Sequence, residues 1–178
     1  MIDVTRNRAA QKWTTGEKFG RILWAMVRPV FRLTPRPLWF LRVWLLRLFG
    51  AKIGSQVHIY PTVRISIPWN LNIADQVAIG ERAILYALGP ISIGPRTVIS
   101  QYSHLCAGTH DYRDPTFPLL KTPIVIGADV WVCAQSFIGP RVVIGEGAII
   151  GACSVVMKNV DAGIVGHGNP FQILKSRD

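Results

Sequence analysis

A chain of 178 residues and 19.8 kDa is the length of one domain or of one domain with an appendage, and 49% hydrophobic residues supply a real core, which excludes intrinsic disorder. The net charge of +10 is unevenly placed: residues 1–52 hold eleven Lys/Arg against Asp3 and Glu17, whereas the rest of the chain holds nine basic and eight acidic groups. The pI of about 10.2 therefore does not mark a nucleic-acid binder. The basic residues interleave with Trp, Phe and Leu, in no DNA- or RNA-binding motif.

The first fifteen residues are polar and lack the apolar stretch of a signal peptide. Next, Phe19, Ile22, Leu23, Met26, Val27, Val30 and Phe31 fall at helical spacing on one stripe, with Lys18, Arg21, Arg28 and Arg32 off it. The cluster Thr34-Pro35-Arg36-Pro37 ends this helix. A second segment, Leu38 to Phe49, carries Trp39, Phe40, Trp44 and Phe49 and is apolar nearly all round, so something must cover it. Arg42 and Arg47 interrupt it and it is too short to span a bilayer, which predicts a soluble or peripheral protein.

From Ile53 the period changes to six. Aliphatic residues recur at Ile53, Ile59 and Ile65, then at Ile67, Ile73, Ile79, Leu85 and Ile91, then at Ile93, Ile99 and Leu105. After an interruption they continue at Ile126, Val132, Ile138, Ile144, Ile150 and Val156. Ile, Leu and Val are 51 of the 178 residues, so six in succession at one spacing has a chance of roughly one in two thousand per frame, and the period is real. Gly often follows the aliphatic residue, and a small or branched one often sits four places on, as at Val57, Val130, Val142 and Ala148. Such a period fits short strands with tight turns, three to a coil, wound into a triangular prism filled by stacked aliphatics. The span accounts for about five coils stacked about 4.8 Å apart. The two Ile-Ser-Ile steps, Ile65 to Ile67 and Ile91 to Ile93, add two residues each and are expected to bulge at a corner. The chain thus divides into a basic, amphipathic helical segment (1–50), a β-helix (51–165) with an excursion at 111–123, and a tail (166–178). Cys106, Cys133 and Cys153 have no metal-type spacing and read as free thiols of a reducing cytosol.

The hexads Ile-Gly-Ala-Asp-Val-Trp, Ile-Gly-Pro-Arg-Val-Val, Ile-Gly-Glu-Gly-Ala-Ile and Ile-Gly-Ala-Cys-Ser-Val resemble the hexapeptide-repeat acyltransferases, which fold as a left-handed parallel β-helix. The segments Gly108 to Pro115, Pro123 to Gly127, Trp69-Asn70-Leu71, Leu48 to Gly54 and Gly168-Asn169-Pro170 narrow the resemblance to the colanic-acid and exopolysaccharide O-acetyltransferase branch. It covers about residues 35 to 175. It implies a homotrimer that transfers acetyl from acetyl-CoA, a co-substrate, to a sugar hydroxyl of an exported or cell-envelope glycan. No metal is implied: His104 and His110 have no third histidine at suitable spacing, and His58, His104 and His167 read as surface or corner residues.

By the same resemblance His110 is the catalytic base, and neutral imidazole suits that task near pH 7. Trp131, Ala134, Ala152, Met157, Lys158 and Lys175 match positions along the acetyl-CoA groove; Trp131 either walls that groove or caps a coil. Gln172 departs from the family's usual Arg. Ala87 stands near where many relatives offer an Asn or Asp to the histidine, so His110 must be oriented by Asp111, Asp75 or a backbone carbonyl, or work less well. Tyr86, Asp111 and Tyr112 are candidates for the acceptor, with a solvated turn as the alternative for the latter two.

Two readings of the whole follow. The first is the O-acetyltransferase, cytoplasmic, with residues 17–49 either touching anionic lipid at the inner face of the cytoplasmic membrane or capping the solenoid and packing on a neighbouring subunit. The second is a non-catalytic solenoid serving assembly or anchoring.

Overall fold

The computed structural model describes residues 3–177. Helix α1 (Val4–Ala9) comes first, a short helix that the polar N-terminus gave no sign of. Helix α2 (Thr15–Leu33) starts on a capping box in which Thr14 and Glu17 each take the other's backbone N–H. A 3-10 turn (Arg36–Leu38) leads into α3 (Trp39–Leu48).

Beyond Gly50 the chain winds into a triangular solenoid of parallel strands. One face stacks Lys52–Ile53, Leu71–Ile73, Ile91–Ile93, Ile124–Ile126 and Val143–Ile144. The second stacks His58–Ile59, Ala78–Ile79, Val98–Ile99, Trp131–Val132, Ile149–Ile150 and Ile164–His167. The third stacks Arg64–Ile65, Ile84–Tyr86, His104–Cys106, Phe137–Ile138 and Val155–Val156. An antiparallel strand, Gln172–Ser176, folds back on the last rung of the second face. The hexad aliphatics Ile59, Ile79, Ile99, Val132 and Ile150 lie in register on that face and are buried, as are the small residues four places on. At the turns the coils come so close that a Cβ on Gly94 would lie 2.5 Å from the carbonyl carbon of Gly127, and only glycine fits there.

The bulge expected at Ile91-Ser92-Ile93 is absent. Those residues form an ordinary strand, paired one-to-one with Leu71–Ile73 and with Ile124–Ile126. The two extra residues fall just before it, in the corner Ala87–Pro90, because both isoleucines are wanted in the wall. The preceding coil does the same at Ser66–Asn70, partly as a 3-10 turn (Pro68–Asn70). The excursion leaves at the same corner one coil later. Three successive coils therefore lengthen at one edge of the prism, and there the site is built.

Helix α3 closes the open end of the first coil. Arg42 is fully buried (0% exposed), and its guanidinium donates to the carbonyls of Ile59 (2.8 Å), Thr34 (2.8 Å) and Pro35 (3.1 Å) while lying 4.8 Å from the Trp39 ring. What reads in sequence as a polar interruption is a plug for carbonyls of the first coil and of the link between α2 and α3. The stripe on α2 divides: Trp24 and Phe31 pack on the solenoid, Trp24 donating its indole N–H to the Ile65 carbonyl at 2.9 Å. Phe19, Ile22, Met26 (71% exposed), Val30 and Leu33 (82%) face outward, as do Phe40, Trp44 and Leu48 of α3. Among the described residues no helix is long and apolar enough to cross a membrane.

Candidate active site

Strands Gly108–His110 and Leu119–Lys121 pair as an antiparallel hairpin that carries the excursion off the prism edge. His110 ends the outgoing strand, half-buried, with its ring stacked on that of Phe117 (centroids 4.3 Å apart, planes 4° off parallel). Its Nδ1 donates to the Phe117 carbonyl at 2.9 Å. A carbonyl oxygen only accepts, so Nδ1 holds a proton, and in the neutral ring the lone pair is on Nε2. The orienting partner is thus a backbone carbonyl. Asp111 instead accepts from the Arg113 N–H (3.0 Å), and Asp75 is tied to Ser55 on the first coil.

Phe117 itself is held in the left-handed region (φ 49°), in a turn closed by its N–H to the Asp114 carbonyl at 2.8 Å. Asp114 accepts from the Thr116 N–H and hydroxyl, which hold its carboxyl below the usual range. Helix α1 fastens the same turn from outside: the Asn7 amide donates to the carbonyls of Thr116 (3.0 Å) and Phe117, and the Asp3 N–H to that of Pro115 at 2.7 Å. Lys121 bridges to Glu17 at 3.2 Å and lies over the Trp13 ring. Neither Phe117 nor Asn7 carries a signal in sequence. One is an apolar loop residue and the other sits in a polar N-terminus, and only the fold brings them together.

The remaining histidines lie apart. His104 is on the third face between the rings of Tyr86 and Phe137, half-buried, and burial lowers its pKa. His58 stacks on Trp39 of α3, and His167 lies exposed in the closing hairpin. Among the described residues no three His, Cys, Asp or Glu converge as a metal-binding group.

The residues matched to the acetyl-CoA groove occupy different edges. Ala134 and Ala152 are equivalent turn residues of consecutive coils between the second and third faces, bridged by the Cys153 N–H to the Ala134 carbonyl at 2.9 Å. Met157 and Lys158, both exposed, follow the last strand of the third face, at the edge from which the His110 hairpin leaves two coils earlier. Trp131 is exposed on the second face, its indole N–H donating to Ser100 (3.0 Å), in the row that continues through Ile149 and Val165 to Lys175. Tyr112 projects from the excursion tip into solvent.

Tyr86 lines a cavity of about 790 Å³ between α2 and the third face, with Ser66, Ile84, Trp24, Arg28 and Arg64 around it. The corner above Tyr86 is fixed by Asn70, whose amide donates to the carbonyls of Ala87 and Leu88 at 2.9 Å each.

The comparisons agree with this architecture. Residues 123–158 match the family described as bacterial transferase hexapeptide (six repeats). The chain is 43% identical over 157 residues to the protein assigned as the colanic acid biosynthesis acetyltransferase WcaF of Escherichia coli (strain K12), covering 88% of this chain and 86% of that one. Among solved structures, a hexapeptide-repeat containing acetyltransferase from Vibrio cholerae superposes with a TM-score of 0.85 at 23% identity over 93% of this chain and 94% of that one. A galactoside acetyltransferase in complex with coenzyme A gives 0.81 at 22% identity, over 100% of this chain and 92% of that one. The chain belongs to the hexapeptide-repeat acyltransferases.

Proposed function

We propose that this enzyme moves acetyl from acetyl-CoA to a sugar hydroxyl in the biosynthesis of an exported or cell-envelope glycan. The observation that carries the reading is His110, with Nδ1–H committed to the Phe117 carbonyl, which makes Nε2 the proton-accepting nitrogen of the neutral ring, on a hairpin that stands off a rigid wall. In this reaction the acceptor oxygen bonds to the acetyl carbonyl carbon, its proton goes to Nε2, and the carbon–sulfur bond breaks. The thiolate leaves with the proton that His110 returns. Lys158 and Lys175 serve the donor's phosphates, Ala134 and Ala152 the backbone contacts to its pantetheine arm, and Trp131 and Met157 its apolar walls. Tyr86, Asp111 and Tyr112 serve the acceptor.

Because these donor residues sit on two edges of one prism, a single groove that uses them all takes two protomers. A homotrimer supplies three such grooves. The outward apolar residues of α2 and α3, with the exposed cations Lys18 and Arg21 on α2, suit an anionic membrane surface on the cytoplasmic side. The test of the central claim is thermal shift with acetyl-CoA followed by detection of acetylated sugar. Stabilisation by acetyl-CoA together with loss of transfer in His110→Ala is the expected result, and no stabilisation by acetyl-CoA or CoA overturns it in favour of the assembly protein.

A further inference from the structure

The cavity beside Tyr86 runs on into a second one of about 450 Å³, and the two share Arg32 and Arg64. Arg28 and Arg32 come from α2, Arg64 from the third face and Arg82 from a coil corner, so three separate segments bring arginines to one groove. No Asp or Glu lines either part. Four other arginines of this protein are committed: Arg42 and Arg47 to backbone carbonyls, Arg36 to Glu81 and Arg96 to Asp129. Among the described residues Arg28, Arg32 and Arg64 have no carboxylate and no side-chain hydrogen bond, and Arg82 has only the Tyr102 hydroxyl at 3.4 Å.

Four like charges gathered on a concave surface repel one another unless an anion joins them, and the guanidinium fork matches phosphate oxygens two at a time. The larger cavity is within the roughly 300–1,000 Å³ of small-molecule sites. Its Ser66 and Tyr86 end lies toward the reacting edge, since Tyr86 pairs with Cys106, from which the chain runs on into Gly108–His110. Resting on the acetyl-transfer reading, we infer that the acceptor is a phosphate-bearing sugar, a glycosyl phosphate or diphosphate, whose phosphate is gripped by Arg28, Arg32, Arg64 and Arg82 while its ring lies against Ser66 and Tyr86.

The experiment compares the intact protein with Arg32→Gln and Arg64→Gln, both exposed positions whose melting temperature is checked first. Calorimetry measures binding of glucose and galactose 1-phosphates, the corresponding methyl glycosides, inorganic pyrophosphate and acetyl-CoA. A polyprenyl diphosphate-linked hexose in detergent forms a further arm, which separates a lipid-borne from a free phosphate. The expected result is binding of the phosphorylated probes at least ~10-fold tighter than of the methyl glycosides, weakened ~10-fold or more in each variant and by added salt, with acetyl-CoA affinity unchanged. Equal affinity for phosphorylated and neutral probes, or no binding of any phosphorylated probe, overturns the inference. So does a loss of acetyl-CoA affinity in the variants, which would give the groove to the donor. Failure of the enzyme reading looks different: the phosphorylated probes bind, yet acetyl-CoA does not, or no acetyl is transferred.

Discussion

The lone pair on His110 Nε2 depends on a single carbonyl, and that carbonyl belongs to a residue with a positive φ which the N-terminal helix ties down. His110→Ala is expected to lower transfer by roughly 10²–10⁴-fold, the usual worth of a positioned base. Stability should change by less than about 1 kcal/mol, because the side chain is half-exposed outside the stacked core. Turnover and melting temperature on one preparation check both halves. His104 gives a pH signature of its own. Burial between Tyr86 and Phe137 depresses its folded-state pKa below 6.5, so below that value the unfolded chain binds protons that the folded chain does not. Its contribution is complete above the unfolded pKa and is lost as the pH falls toward the depressed folded one. Melting temperature should therefore drop, as the pH falls below 6.5, more steeply in the wild type than in His104→Phe.

At the level of elements, Arg42 tests how the solenoid's first coil is closed. Arg42→Ala strands buried carbonyls of Ile59, Thr34 and Pro35 and leaves a cavity, and a loss of about 3 kcal/mol or more is expected in chemical denaturation. Arg42→Lys should recover only part of it, since an ammonium cannot reproduce the guanidinium's spread of donors. The coil walls were legible residue by residue, because a rung of a β-helix is specified by local sequence alone: one aliphatic, one glycine, one small side chain. The plug was not legible, since a run of apolar residues interrupted by arginine looks alike whether the arginine faces water or carbonyls. The same limit hid Phe117, Asn7 and the arginine-lined groove. Each joins segments far apart in the chain, such as Asn7 with Thr116 or Arg28 with Arg64, and no period links them. Resemblance supplied His110; its orientation came only from geometry.

For the whole molecule, light scattering at micromolar concentration should give about three times 19.8 kDa, and a clean monomer would remove the shared groove. Flotation with vesicles rich in anionic lipid should carry the protein up, with recovery falling in Met26→Glu/Leu33→Glu, whose side chains are among the most exposed apolar groups on α2. Equal recovery with and without vesicles argues instead for a neighbouring subunit over that face. The three lengthened corners have a consequence for how such an enzyme changes over time. Each insertion sits at the same edge of successive rungs and returns the chain to register before the next strand, as Leu71–Ile73, Ile91–Ile93 and Ile124–Ile126 show by pairing without slip. The edge can therefore accept insertions, deletions and new side chains without altering the two opposite corners or the aliphatic stack. Inheritance of the scaffold and drift of the acceptor become separable, and a lineage can shift from one sugar to another by editing a single seam of an otherwise constant column.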